Sequence, residues 1–497
     1  MLGKIFYVTG LKVSSLKSRQ LLIRGLVAFL IVASCLRVLI TAVDYGLNEL
    51  QMDFSAFFTA GEALNNGYSP YKNNIVNTPP VWDGVAVYDF SRFLYPPITA
   101  TLFRPLALLP YSAGKLVWLV FTLGCLALSL FVWLKTFNLP GDKVPHWQYG
   151  FIFVAFFFPL YPFIERGQID SVTMLVLNFS FFLMLKHPKM SLLSGILLAL
   201  ATVLKLNCIF FVPFLFLRRR LTVVTGFIIG SFILLSLSFL LNGVDNTLNY
   251  ARVDFPRISR LGENGTDEQL LPREVISNHL AGTPAGYTIK QSQTYQVSTL
   301  NFDGQVSQTQ LILFLVANFD YYLNQSFVSL LIFLGFFLLV LVREKTRPRE
   351  SQALPLRSEF LFWQLVMIIV LLASPLTWVM NLVWLCPLFF LFLYYLKNKN
   401  RLNNRYSLLL ILAGLILIAV PDHFNLPLLN LRFDGPHSWD NIFITLFVYK
   451  YQFGQILLAT ALLLEYVNRK TGDSTEHAFQ SDRTDPPASE PAPLAGK

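Results

Sequence analysis

Residues 186–220 read KHPKMSLLSGILLALATVLKLNCIFFVPFLFLRRR. Basic residues stand at both ends, Lys186 and Lys189 before the stretch and Arg218, Arg219 and Arg220 after it. Between them the chain is predominantly apolar, interrupted by Lys205 and Asn207 near the middle. Positive clusters next to membrane spans collect on the cytoplasmic side, so both ends belong there. Each half holds about 12–15 residues and would reach roughly 18–22 Å as helix. That falls short of the ~30 Å hydrocarbon core. The simplest solution is a short hairpin whose tip, with Lys205 on it, stops below the outer surface. A lysine at membrane depth is a functional candidate. It can equally snorkel toward headgroups, and the stretch alone leaves both open.

The rest of the chain reads the same way. Hydrophobic residues make up 54% of the 497 and charged residues only 14%, with a mean hydropathy of +0.53. Apolar runs near the length of a bilayer span recur at 22–43, 115–134, 149–164, 171–185, 221–242, 326–342, 360–376, 379–396, 406–420 and 451–467. The pattern predicts an all-α polytopic membrane protein of roughly 11–13 membrane helices, the short hairpin included. External juxtamembrane helices and one long external loop, 243–325, complete it. Residues 1–467 form one transmembrane unit, with a polar external segment at 44–110. The tail, 468–497, is rich in Pro, Ala, Ser and Asp and is expected to be disordered and cytoplasmic. The N-terminal Lys4, Lys12, Lys17 and Arg19 place that end in the cytoplasm too. The first span starts near Leu21 and is expected to be a retained anchor rather than a cleaved signal. The expected location is the cell membrane, plasma or inner, with the functional face outside the cytoplasm.

This distribution excludes several classes. The net charge of +10 sits in short loops between spans, so it reports topology and not a nucleic-acid partner. Cys35, Cys125, Cys208 and Cys386 all lie in apolar spans and form no disulfide framework or metal-binding pair. No phosphate-binding P-loop, dinucleotide fingerprint or D-x-D occurs, and the six histidines are scattered, so no cofactor or metal is expected.

One external stretch carries a candidate for chemistry. Met52 to Tyr71 reads MDFSAFFTAGEALNNGYSPY. It is expected to be an amphipathic helix on the membrane surface, opened by Asp53 and closed by Asn66-Gly67 and Ser69-Pro70. Asp53 either caps that helix or acts as a general base at the bilayer boundary. Arg104, Arg166, Gln168 and Lys205 are the other polar groups expected near the outer membrane plane. A carboxylate with several cations suits deprotonation of a hydroxyl while a lipid phosphate departs.

The chain resembles glycosyltransferase family 87. The resemblance rests on Asp53 through Gly67-Tyr68-Ser69-Pro70-Tyr71, on Tyr95-Pro96-Pro97 with Arg104-Pro105-Leu106, and on Gly167-Gln168. It continues in Gly195 to Lys205, Asn324-Gln325-Ser326 and Ser374-Pro375-Leu376-Thr377-Trp378. It implies a GT-C membrane fold and an enzyme that uses a polyprenyl phosphate sugar as donor, as mycobacterial polyprenol-phosphate-mannose-dependent mannosyltransferases do. It further implies that Asp53 is the catalytic base. Expected donor-phosphate residues are Lys205, Arg104, Arg166 and Gln168. Substrate contacts are expected at Tyr71, Tyr95, Asn324, Gln325 and Trp378. Family members often carry histidine just after the Trp motif, where this chain has Met380-Asn381. Asn381 or His423 would then take its place. The reaction expected is inverting transfer of a hexose, mannose foremost, to a lipid or glycan acceptor on the extracytoplasmic face. Partners are thus the lipid-linked donor, the acceptor and membrane lipids. A non-enzymatic translocator of lipid-linked sugars and a glycan ligase or polymerase are the competing readings.

Overall fold

The structure is a computed structural model. It describes residues 16–47, 51–67, 69–71, 81–82, 85–86, 93–137, 147–258, 325–345, 356–374, 379–398, 402, 404, 406–420 and 450–467. Its helices are α1 (Leu16–Leu47), α2 (Met52–Asn65), α3 (Pro97–Thr101), α4 (Tyr111–Phe137), α5 (Trp147–Phe156), α6 (Leu160–Arg166), α7 (Asp170–Lys186), α8 (Ser191–Leu204), α9 (Phe211–Leu217) and α10 (Leu221–Asn242). They continue as α11 (Val244–Asn249), α12 (Phe255–Ile258), α13 (Gln325–Lys345), α14 (Leu356–Ala373), α15 (Pro387–Lys397), α16 (Ser407–Ala419) and α17 (Lys450–Val467). A two-residue strand pair, Val81–Trp82 with Val85–Ala86, is the one sheet among the described residues. The protein is an all-α polytopic membrane protein, as the hydropathy pattern predicts.

Most span boundaries fall within a few residues of those read from sequence. The exceptions are breaks inside expected spans. Span 149–164 is split into α5 and α6, bent by 61°. Span 379–396 becomes a 3-10 stretch, Val379–Leu385, followed by α15 at 40°. Prolines lie at both breaks, Pro159 before α6 and Pro387 at the start of α15, and a proline inside a helix removes a backbone donor. By length and composition three helices among the described residues can each cross a bilayer: Arg24–Leu47, Tyr111–Phe137 and Leu221–Asn242. Counting each bent pair as one span brings the number to five. Other helices are shorter, as Ser407–Ala419 is, or carry charges near an end, as α13 and α14 do. Several of them are packed inside the bundle. In α14, Phe362, Trp363, Leu365 and Val366 are all 0% exposed.

The stretch 186–220 does fold back on itself. Helix α8 runs to Leu204, Lys205 is a single extended residue, and a 3-10 turn, Leu206–Phe210, leads into α9. The proof of reversal is the register of α8 on α10. A Cβ on Gly195 would lie 2.0 Å from the Val223 carbonyl, and one on Gly226 2.1 Å from that of Leu192. Gly230 faces Ala199 four residues further on. The starts of α8 and α10 are therefore side by side and the two helices run parallel. The chain must return between Leu204 and Leu221. Helix contact this close needs small residues, as membrane interfaces use them.

The two ends of the bundle are distinct. At one, Arg218 bonds Glu344 at 2.6 Å and also Glu359, and Arg220 reaches Glu359 at 3.1 Å. Tyr466 donates to Glu344. Arg343, which donates to the Val467 carbonyl at 2.8 Å, thus borders the same end as Arg218 and Arg220. At the other end, Thr99 of α3 donates to the Val203 carbonyl at 2.7 Å and Thr101 to Asn242 at 2.9 Å. Helix α3 covers the tip that carries Lys205.

The expected amphipathic surface helix is corrected. In α2, Phe54, Phe57, Phe58, Ala56 and Ala60 are all buried, and so is Asp53. Phe57 stacks on Phe103 at 4.6 Å and Phe54 on Trp118 at 6.2 Å. The first two turns of α2 are enclosed by protein, the polar Ser55 included, rather than laid on a surface. The long loop beyond residue 258, residues 421–449 with His423 and His437, and the tail lie outside the described residues.

Candidate active site

The site is assembled by one turn. Helix α6 ends at Arg166, and Gly167 follows with φ 67°. The Gly167 N–H bonds the Ile164 carbonyl at 3.2 Å and the Gln168 N–H that of Phe163 at 3.3 Å. This is the hydrogen-bond pattern of a Schellman ending, for which glycine is suited because it has no Cβ penalty at positive φ. Trp118 clamps the turn by donating to the Gly167 carbonyl at 2.6 Å. Gln51, itself left-handed at φ 56° and buried, donates to the Ile164 carbonyl at 2.9 Å. A non-glycine residue held there stores strain, which is common beside functional groups.

The turn aims three side chains. Gln168 donates through Nε2 to Asp53 Oδ2. Arg166 Nη1 approaches Asp53 Oδ1 at 3.5 Å. Asp170, the first residue of α7, accepts from Lys205 Nζ on Oδ1 and from Asn381 Nδ2 at 2.9 Å on Oδ2. Its backbone carbonyl accepts from the Trp384 indole at 3.2 Å, and Lys205 lies over that indole ring at 5.7 Å. Asp53 and Asp170 are close enough for their charges to interact. Tyr95 lies beside both: burial pushes its phenol well above the ordinary range, and the charges of Asp170 and Asp53 push the same way. The Gln168 Oε1 and Ser171 Oγ atoms are buried without a hydrogen-bond partner.

Asp53 is not the helix cap. The capping position is Gln51, which makes no side-chain cap bond, and Asp53 is the second helical residue. Its carboxylate is held instead by Gln168 and Arg166. An aromatic cluster adjoins the site. Tyr71 donates to the Tyr95 carbonyl, and its ring stacks on Tyr250 at 5.2 Å. Burial raises the Tyr71 phenol as well. Tyr250 belongs to the segment that follows α10, so the start of the long loop returns to this cluster.

Of the expected residues, Asp53, Arg166, Gln168, Lys205, Tyr95 and Asn381 converge, and Tyr71 is one contact away. Arg104 does not join them. Its Nε donates to Asn65 Oδ1 at 2.9 Å, at the far end of α2. The rise from Asp53 to Asn65 is roughly 18 Å, so Arg104 stands at the opposite end of α2 from Asp53. Asn324, the Gln325 side chain, Trp378 and His423 lie outside the described residues. Asp170 joins the site as well, and nothing local in the sequence marks its pairing with Lys205 and Asn381. No group of three metal-ligating side chains occurs among the described residues.

Gly167 supports all of this, and its replacement has a definite expected outcome. A Cβ there would lie 2.9 Å from Phe54 Cβ and 3.0 Å from Gln51 Oε1. The left-handed backbone alone costs an L-residue about 1–2 kcal/mol. Gly167→Ala should lower the thermal midpoint by several degrees and cut activity roughly tenfold, because the neighbouring Gln168 shifts off Asp53. Thermal unfolding and turnover of the purified variant check this.

The family model described as glycosyltransferase family 87 matches residues 93–375. No curated protein and no solved structure matches the chain.

Proposed function

Because the chain belongs to glycosyltransferase family 87 and is thus a membrane glycosyltransferase, we propose that it transfers a hexose, mannose foremost, from a polyprenyl phosphate sugar to a lipid or glycan hydroxyl. The observation that carries this is the placement of Asp53, with Gln168 and Arg166 on its carboxylate and the Lys205–Asp170 pair alongside. Asp53 takes the proton of the acceptor hydroxyl as that oxygen attacks the anomeric carbon. Gln168 fixes the carboxylate in one orientation. Attack from the face opposite the phosphate inverts the anomeric centre. Lys205 and Arg166 stabilise the charge that grows on the departing phosphate. Arg104 holds the far end of α2 and makes no phosphate contact.

The reading places the site at the extracytoplasmic end of a multi-pass cell-membrane protein, with both termini in the cytoplasm. Positive-inside reasoning supports that assignment, since Arg218, Arg220 and Arg343 border the opposite end of the bundle. No cofactor is called on, since the lipid-linked sugar is itself a substrate. The test is an assay of purified protein in lipid nanodiscs with a panel of polyprenyl phosphate sugars and candidate acceptors. Transfer from at least one such donor, with inverted anomeric configuration in the product, is expected. Transfer from a nucleotide sugar and from none of the lipid donors would overturn the reading.

A further inference from the structure

The two ion pairs of the site differ in what the reaction does to their anions. Lys205 is paired with Asp170, which is 0% exposed and is also bonded by Asn381 and, through its carbonyl, by Trp384. Asp170 takes no part in the proton transfer, so that pair persists throughout. Arg166 is paired with Asp53, the proton acceptor, by a contact of 3.5 Å at the outer limit of a hydrogen bond. The Asp53 charge disappears during the reaction.

We propose that Arg166 is handed from Asp53 to the leaving phosphate within the transfer step; this rests on the reaction proposed above. The acceptor oxygen forms a bond to the anomeric carbon, and the bond from that carbon to the phosphate oxygen breaks. Its electron pair stays on the phosphate, which passes from a diester with one negative charge to a monoester with two. The hydroxyl proton moves to Asp53, which becomes neutral. One anion beside Arg166 vanishes as another appears, and the guanidinium turns from the first to the second. Arg166 is the last residue of α6, its backbone fixed by the Gly167 turn, while its side chain is partly open at 16% exposure. The arrangement holds the cation on the base before reaction, and so away from the donor. Its full attraction reaches the phosphate only as the bond breaks. An interaction stronger in the transition state than in the ground state is the kind that raises turnover.

The hand-off can be tested by equilibrium binding without turnover. Asp53→Asn is a neutral isostere and reproduces the protonated base. The probe is a polyprenyl phosphate, the reaction product, titrated into detergent-purified protein. Asp53→Asn should bind it roughly tenfold more tightly than the unaltered protein, the scale of a charge-assisted hydrogen bond gained. In Asp53→Asn/Arg166→Gln the gain should vanish, leaving the affinity within about twofold of Arg166→Gln alone, as coupled residues in a double-mutant cycle require. Lys205→Gln should weaken binding equally with and without Asp53→Asn, because its partner is Asp170. No gain in Asp53→Asn, or a gain that survives Arg166→Gln, would overturn the hand-off while leaving the proposed reaction intact. Failure of the unaltered protein to bind the lipid phosphate at all would overturn the reaction reading and the hand-off with it.

Discussion

Asp53→Asn is expected to leave the protein folded and to cut sugar transfer by roughly 10²–10⁴-fold, the usual worth of a positioned general base. The fold should tolerate the change for a reason the site supplies. Asn keeps the size of Asp and one acceptor oxygen, but it turns the other oxygen into a donor facing Gln168 Nε2. The Gln168 amide can rotate by half a turn. Its Oε1, now buried without a partner, then accepts from the new amide, so one bond replaces another. The capping position is Gln51, and the helix start loses nothing. Thermal midpoint and turnover measured on the same preparation separate the two effects. Near-normal turnover in Asp53→Asn with a working substrate pair would remove Asp53 as base. Asp170 would be the next carboxylate to test, since it lies in the same site.

Lys205→Ala should be costly in two ways at once. In the proposed reaction it removes a cation from the departing phosphate, a loss expected to cut transfer by roughly 10²–10³-fold. It also leaves Asp170, which is 0% exposed, with Asn381 but no counter-charge. Breaking one side of a buried ion pair costs about 3–5 kcal/mol. The double change Lys205→Ala/Asp170→Asn removes the stranded carboxylate. It should recover most of the thermal stability and none of the turnover. Lys205→Arg keeps charge but brings a planar fork in place of a compact ammonium, so stability should hold better than transfer. A Lys205→Ala protein with full turnover would reduce the residue to a structural partner of Asp170.

The parts of this architecture that were legible in the sequence are those set by local chemistry. Basic residues at both ends of 186–220 and a lysine in the middle predict a hairpin with Lys205 on its tip, and the helix breaks at that residue. Hydropathy marks the spans, and the polar run Glu165 to Asp170 stands between two of them. What failed to show was anything that depended on the other side of a contact. The apolar face of α2 was expected to meet lipid, because a sequence does not reveal that α3 and α4 enclose it. Arg104 looked like a phosphate ligand because it is a cation near the outer plane. Which end of α2 it meets depends on a fold-back 39 residues long, to Asn65. Asp170 and Asn381 are 211 residues apart, and neither has a neighbour that signals the other. The broken spans were hidden for another reason: hydropathy averages over a proline or a 3-10 turn without registering the bend.

The carboxylates that hold the base of the hairpin are made late. Arg218 lies 126 residues ahead of Glu344 and 141 ahead of Glu359. At ordinary synthesis rates the ribosome delivers those partners roughly 6–30 s after the arginine. For that interval Arg218 and Arg220 lack the carboxylates that hold them in the finished fold. Its final seating waits for α13 and α14, although α10 is already beside it. A chain stopped before residue 344 would therefore carry the whole active-site turn and the Lys205–Asp170 pair, but would lack Asn381 and Trp384, which close over Asp170.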